Sequence, residues 1–124
     1  MNVSILAKNA YTSQAAPVRT TRGSEYDAFV LVTRKLQAAA QNAGRTTPQL
    51  AQAVDLNRKL WTLLATDAAS EDNLLPDETR AGIISLYEFT RSQSSKILRG
   101  EAAVQTLVEL NASIMRGLNG GGAR

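Results

Sequence analysis

The side chains that carry most enzymatic chemistry are missing. The 124 residues include no histidine and no cysteine. There is therefore no imidazole base or proton shuttle, no thiolate nucleophile and no histidine or thiolate metal ligand. Catalysis would fall to carboxylates, lysine or tyrosine. The acids do gather in one region, as Asp67, Glu71, Asp72, Asp77 and Glu78. As calcium ligands they lack the EF-hand order of acids around a glycine. Ser70-Glu71-Asp72-Asn73-Leu74-Leu75 reads instead as a solvated turn before a helix whose first turn favours negative charge. The chain has no Gly-rich phosphate loop, no GxSxG elbow and no HExxH. The expectation is a protein that is not an enzyme and that needs neither cofactor nor metal.

Two amides stand out for a different reason. Asn57 and Asn111 fall within the apolar arcs of their helices. A buried amide is costly unless its hydrogen bonds are met, so such residues point to hydrogen bonds between helices. For Asn57 the alternative is a contact with a partner.

The elements that position these residues read as helices. Pro48–Ala68, wound at about 100° per residue, spreads Leu63, Leu56, Leu60, Ala53, Leu64, Leu50, Trp61 and Val54 over roughly 180°. A surface helix needs an arc of little more than about 100°, so this one is expected at the centre of a bundle, touched on two sides. Thr47 should cap it, with Pro48 at its first position. An earlier helix is expected over 25–43, capped by Ser24, faced by Tyr26, Phe29, Val30, Val32, Thr33, Leu36 and Ala40, and closed by Gly44. A third starts at Pro76, with Asp77 and Glu78 in its first turn. Ile83, Ile84, Tyr87, Ile97 and Leu98 share its face, with the small Thr90 and Ser94 along it, and Gly100 ends it. Phe89 lies roughly 160° from Tyr87 on this wheel, so it is either covered by another segment or exposed for a partner. Lys96 and Arg99 suit the last turn of that helix better than a nucleic-acid patch. A fourth helix over 101–118 carries Ala103, Val104, Leu107, Val108, Leu110, Ile114, Met115 and Leu118 on an arc of roughly 160°.

No strand-like alternation of useful length intervenes. The fold class expected is all-α, an antiparallel bundle of about four helices over 24–118, with a flexible or weakly helical N-terminal arm over 1–23 and a Gly-rich tail over 119–124. The formal charge of +3 belongs to the arm, where Lys8, Arg19 and Arg22 meet no acid. The remaining residues balance 11 bases against 11 acids, so a basic nucleic-acid face is not expected on the body. In the arm, Val3, Leu6 and Ala10 recur at helical spacing, with Tyr11 alongside. Two readings stay open for it, a frayed tail or a short helix that docks on the body. No apolar run reaches the roughly 18 residues of a membrane span, and the N-terminus lacks the apolar stretch of a signal peptide. A cytoplasmic protein with no membrane contact is expected.

Several stretches, in order and at matching spacing, resemble the FlaF family of flagellar biosynthesis proteins. They are Glu25-Tyr26 with Phe29 and Val32-Thr33; Asn57-Arg58-Lys59-Leu60-Trp61; Asp67; Asn73 with Leu75-Pro76; Arg80 with Ile84-Ser85-Leu86; Leu98-Arg99-Gly100; and Leu107-Val108-Glu109-Leu110-Asn111 with Ile114-Met115-Arg116-Gly117-Leu118. The resemblance covers about residues 11–118. It implies a cytoplasmic factor for making the flagellar filament, a secretion chaperone that holds flagellin for export and influences its synthesis. The implied partners are flagellin, through an amphipathic terminal segment, and the regulator FlbT. Flagellin's terminal segments are helical in the filament and disordered before assembly, so helix-in-groove recognition would suit them. Leu60, Trp61, Leu64, Tyr87, Phe89, Leu107, Leu110 and Met115 are the candidate contact residues, each also open to a role in the core. Two other readings are a post-transcriptional regulator acting through FlbT or flagellin mRNA, and a dimeric adaptor that does not touch flagellin. The oligomeric state is not fixed by the sequence.

Overall fold

The computed structural model describes residues 21–42 and 46–121. The apolar spacing at Val3, Leu6, Ala10 and Tyr11, the closing Gly44 and the end of the Gly-rich tail lie outside those residues. Four α-helices follow one another, α1 (Thr21–Ala39), α2 (Pro48–Ala69), α3 (Asp77–Leu98) and α4 (Gln105–Gly121). One 3-10 turn, Ala40–Asn42, ends α1. No strand occurs among the described residues, and the all-α bundle expected from the periodicities is what forms.

Local chemistry sets the ends of α2 as anticipated. The Leu50 N–H donates to the Thr47 hydroxyl at 3.0 Å, and Pro48 takes a position that needs no N–H. Other boundaries differ from expectation. Helix α3 starts at Asp77, with Pro76 just before it and not its first residue, and α4 continues to Gly121, through the first residues expected in the tail. Helix α1 starts at Thr21, so Ser24 is a helical residue and not the cap. Gly23 weakens a helix by only about 1 kcal/mol, and no proline lies between Pro17 and Pro48 to stop it.

Helix α4 starts at Gln105 and not at Glu101. The cause is the way α3 ends. Gly100 takes φ +75°, its N–H donates to the Ile97 carbonyl at 3.0 Å, and the Glu101 N–H donates to the Lys96 carbonyl at 2.8 Å. This Schellman closure turns the chain sharply. Residues 101–104 are then spent crossing to α4, and Ala102 and Val104 pack against the core on the way. Arg99 and Glu101 bridge the turn at 3.0 Å, both solvated. The hydrogen bond from Arg99, with its charge, holds the Glu101 carboxyl below its usual range.

The helices run alternately up and down. Packing is extensive between α2 and α3, α1 and α4, and α1 and α2, and sparse between α3 and α4. The main apolar cluster joins Val32, Leu36 and Ala39 of α1, Leu50, Ala53 and Val54 of α2, Ile97 of α3, and Leu107 and Val108 of α4. These residues sit beside the two joints, 40–47 and 98–104, which Thr46 ties together by donating its hydroxyl to the Leu98 carbonyl at 3.2 Å. The bundle is therefore closed and well filled at the end that carries both joints. The opposite end carries the start of α1, the end of α2, the start of α3 and the end of α4.

Candidate partner-binding cleft

A polar layer lies at mid-height in this apolar bundle. Asn111 of α4 is its centre and is fully buried. Its Nδ2 donates to the Thr33 hydroxyl of α1 at 3.1 Å and to Oδ1 of Asn57 of α2 at 2.8 Å. Its Oδ1 accepts from Nε1 of Trp61 at 3.1 Å. Trp61 also meets Phe29 edge-on, with centroids 5.7 Å apart and planes at 82°. Three helices are thus locked at one level by side chains that would be costly to bury unpaired. The fourth helix is joined less completely. Nδ2 of Asn57 and Oγ1 of Thr90 are buried without a hydrogen-bond partner. Arg80 fixes α3 against the end of α2, donating to the carbonyls of Ala68 at 2.6 Å and Ser70 at 3.0 Å. Thr46 and Leu98 fix the other end. Position 57 is midway between 46 and 68, and position 90 is one residue from midway between 80 and 98, so the two orphaned groups are level with one another.

The opening lies between α3 and α4. The buried residues of α3 are Thr90, Ser94 and Ile97, all in its second half. Those of α4, among its residues up to 117, are Leu107, Val108 and Asn111, all in its first half. With little packing between the two helices, they meet near their joint and part beyond it. The parted halves carry Ile83, Ile84, Leu86 and Tyr87 on α3, and Leu110, Ile114 and Met115 on α4, all half-buried. Phe89 is 42% exposed. On the helical wheel Arg80, Ile84 and Tyr87 lie on one flank of the buried stripe of α3, and Leu86 and Phe89 on the other. Arg80 reaches α2, so Leu86 and Phe89 lie on the flank turned away from it. The Arg91 guanidinium sits 5.8 Å from the Tyr87 ring centroid and shields part of that ring. A half-exposed apolar lining between two helices suits one more helix laid along it.

The sequence model of one family, Flagellar protein FlaF, matches residues 7–118. The chain belongs to the FlaF family. No curated protein and no solved structure matches it.

The candidate contact residues of this FlaF-family chain divide into two groups. Trp61 and Leu107 are fully buried. Trp61 holds the polar layer and Leu107 the apolar cluster, so neither offers surface to a partner in this structure. Tyr87, Phe89, Leu110 and Met115 lie on the parted halves of α3 and α4, and Leu60 and Leu64 are half-buried on α2. Leu86 and Ile114 are half-buried on the same halves of α3 and α4 and were not among the candidates. Their partial burial follows from how α3 and α4 diverge, which a single-helix wheel does not contain.

A second apolar surface lies elsewhere. Leu56 and Leu63 of α2 are 39% and 44% exposed and stand one heptad apart, with half-buried Leu60 between them. Leu31 of α1 is 57% exposed. The acidic turn is built from its own hydrogen bonds, with Asn73 donating to Asp67 at 3.1 Å and accepting from the Leu75 N–H at 2.9 Å. Among the described residues no three carboxylates converge as a metal site. No described helix is long and apolar enough to cross a membrane.

Proposed function

We propose that this flagellar protein is a secretion chaperone that binds a terminal segment of flagellin in the α3–α4 cleft and holds it until export. The observation that carries this reading is the incomplete packing of α3 on α4. It leaves Leu86, Phe89, Leu110 and Ile114 half-buried or exposed along two parted helices. A flagellin terminus that is disordered before assembly would fold into a helix there and cover its own apolar face. Ordering the segment consumes part of the interaction energy, so the complex stays specific and releasable. Occupying flagellin in this way also offers a route by which its level feeds back on its synthesis, with FlbT as a further partner.

Titration calorimetry with flagellin, intact and lacking either terminal segment, tests the proposal. The expected result is a dissociation constant on the order of micromolar or tighter, with binding lost when one terminus is removed. A folded protein that binds none of the three forms overturns it. The exposed Leu31, Leu56 and Leu63 favour a second reading, a homodimeric adaptor. That reading expects sedimentation at twice the monomer mass and a monomer in a Leu56→Lys/Leu63→Lys variant.

A further inference from the structure

We infer that the two orphaned groups of the polar layer, Asn57 Nδ2 and Thr90 Oγ1, recognise one uncharged amide side chain on the helix that occupies the α3–α4 cleft. This names the chemistry of the bound segment in the proposed function, and it rests on that reading. Three observations carry it: the direction of the layer's hydrogen bonds, the burial of both orphans and the level at which they stand.

Trp61 sets the direction. An indole N–H only donates, so the oxygen of Asn111 faces Trp61 and its Nδ2 faces Thr33 and Asn57. Asn57 therefore turns its oxygen towards Asn111, and its Nδ2 is left over as a donor. The Thr90 hydroxyl, which can donate and accept, is left over on α3. Both residues are fully buried. A buried polar group without a partner is costly, and a wholly apolar segment laid over this pair would leave both unpaired.

Thr90 stands seven residues before Ile97, and Asn111 seven residues after Val104, beside the joint. Both are thus about 10 Å from the joint, where α3 and α4 begin to part. An inward side chain of a bound helix at this level meets the orphaned pair once α3 moves away from α4, and the packing that opposes this movement is sparse.

The pair dictates what it accepts. Asn57 Nδ2 needs an acceptor, which excludes lysine and arginine. A carboxylate would lose its hydration among amides, a hydroxyl and an indole. An asparagine or glutamine suits both groups, its oxygen accepting from Asn57 and its NH₂ donating to Thr90. Such a buried polar contact fixes the register between helices and rejects a segment that lacks the matching group. An apolar cleft alone admits many amphipathic helices, whereas this layer selects one segment in one register.

Calorimetry with intact flagellin, beside thermal melts of the free chain, tests this on the wild type, Thr90→Val and Thr90→Ser. Thr90→Val keeps the shape and removes the hydroxyl. The free variant should melt at the same temperature or slightly higher, since it deletes an orphan. It should bind flagellin about tenfold more weakly, while Thr90→Ser, which keeps the hydroxyl, stays within about threefold of the wild type. On the flagellin side, each asparagine and glutamine of the required terminal segment is changed to leucine in turn. One such change should weaken binding to the wild type and cost little more in Thr90→Val. Unchanged affinity in Thr90→Val overturns the inference, as does a loss in Thr90→Ser equal to that in Thr90→Val, or losses that simply add at every amide. So does a lower melting temperature for Thr90→Val, because the hydroxyl then has a partner in the free chain. A folded wild type that binds no flagellin overturns the chaperone reading itself, and this inference with it.

Discussion

At the scale of single residues, Asn111 is the hub of the polar layer. It makes three buried hydrogen bonds to three side chains on two other helices. Asn111→Leu keeps the branched shape at a larger volume and removes all three, leaving the Trp61 N–H, the Thr33 hydroxyl and the Asn57 carbonyl unpaired. At about 1 kcal/mol or more for each orphaned group, the loss should be about 3 kcal/mol. A domain of this size would then melt roughly 10 °C lower or more. Adding Thr33→Val and Asn57→Leu removes two of the orphans, and the triple variant should recover much of that loss. Thermal and urea melts of the three proteins check this, and a triple variant less stable than Asn111→Leu would mean that the layer contributes through packing and not through its hydrogen bonds. The presence of such a layer was legible in the sequence, because Asn57 and Asn111 both fell inside apolar arcs. Its wiring was not. Which amide meets which hydroxyl depends on the rotation and height of α4 against α1, and no periodicity encodes that. Thr33 and Trp61 were both placed on inner faces without any sign that they share one partner.

At the scale of elements, the helices were legible because each carries a wide apolar arc. The ends were legible only where a side chain dictates them. Thr47-Pro48 fixes one backbone geometry, and the structure follows it. Ser24 offered a cap that nothing obliged the chain to use. Gly100 was placed correctly as a stop, but the four residues needed to turn and cross from α3 to α4 were not visible in the pattern. Two glycines separate these effects. Gly100 sits at φ +75°, where a Cβ costs about 1 kcal/mol. Gly82 lies inside α3 with ordinary helical geometry and open space where a Cβ would stand. Gly100→Ala should therefore destabilise by about 1 kcal/mol, and Gly82→Ala should stabilise by about 0.5–1 kcal/mol. Matched denaturation curves decide the point, and the same sign for both would remove the backbone account. The neighbouring Glu101 adds a pH dependence of known sign. Its carboxyl is held low by Arg99, so the turn is supported at neutral pH and loses that support as acid titrates Glu101. Because both groups are solvated, the effect is small.

At the scale of the whole molecule, the question is why a bundle with a well-filled end leaves its other end ajar. Wide arcs on α2 and α4 permit a core, a dimer face or a groove, and the sequence could not choose between them, because a wheel shows which side chains are apolar but not which are covered. The fold divides them. Trp61 is sealed beneath Phe29 and Asn111, whereas Phe89 and Leu110 stand on helices that part. Stability and binding should therefore separate by position. Trp61→Ala opens a cavity and strands hydrogen-bonding groups, and a loss of about 3–5 kcal/mol would leave little folded protein to bind anything. Phe89→Ser and Leu110→Ser remove surface that is already partly hydrated, so each should cost about 1 kcal/mol or less of stability. If a flagellin segment lies in the cleft, each should weaken its binding about tenfold or more, the range of a buried apolar anchor. Leu56→Ser, on the other apolar surface, serves as the control and should leave that affinity unchanged. Calorimetry beside a thermal melt for each variant reads both quantities. Affinity lost at Leu56 and kept at Phe89 and Leu110 would move the binding surface to the outer face of α2, and the gap between α3 and α4 would then need another occupant or none.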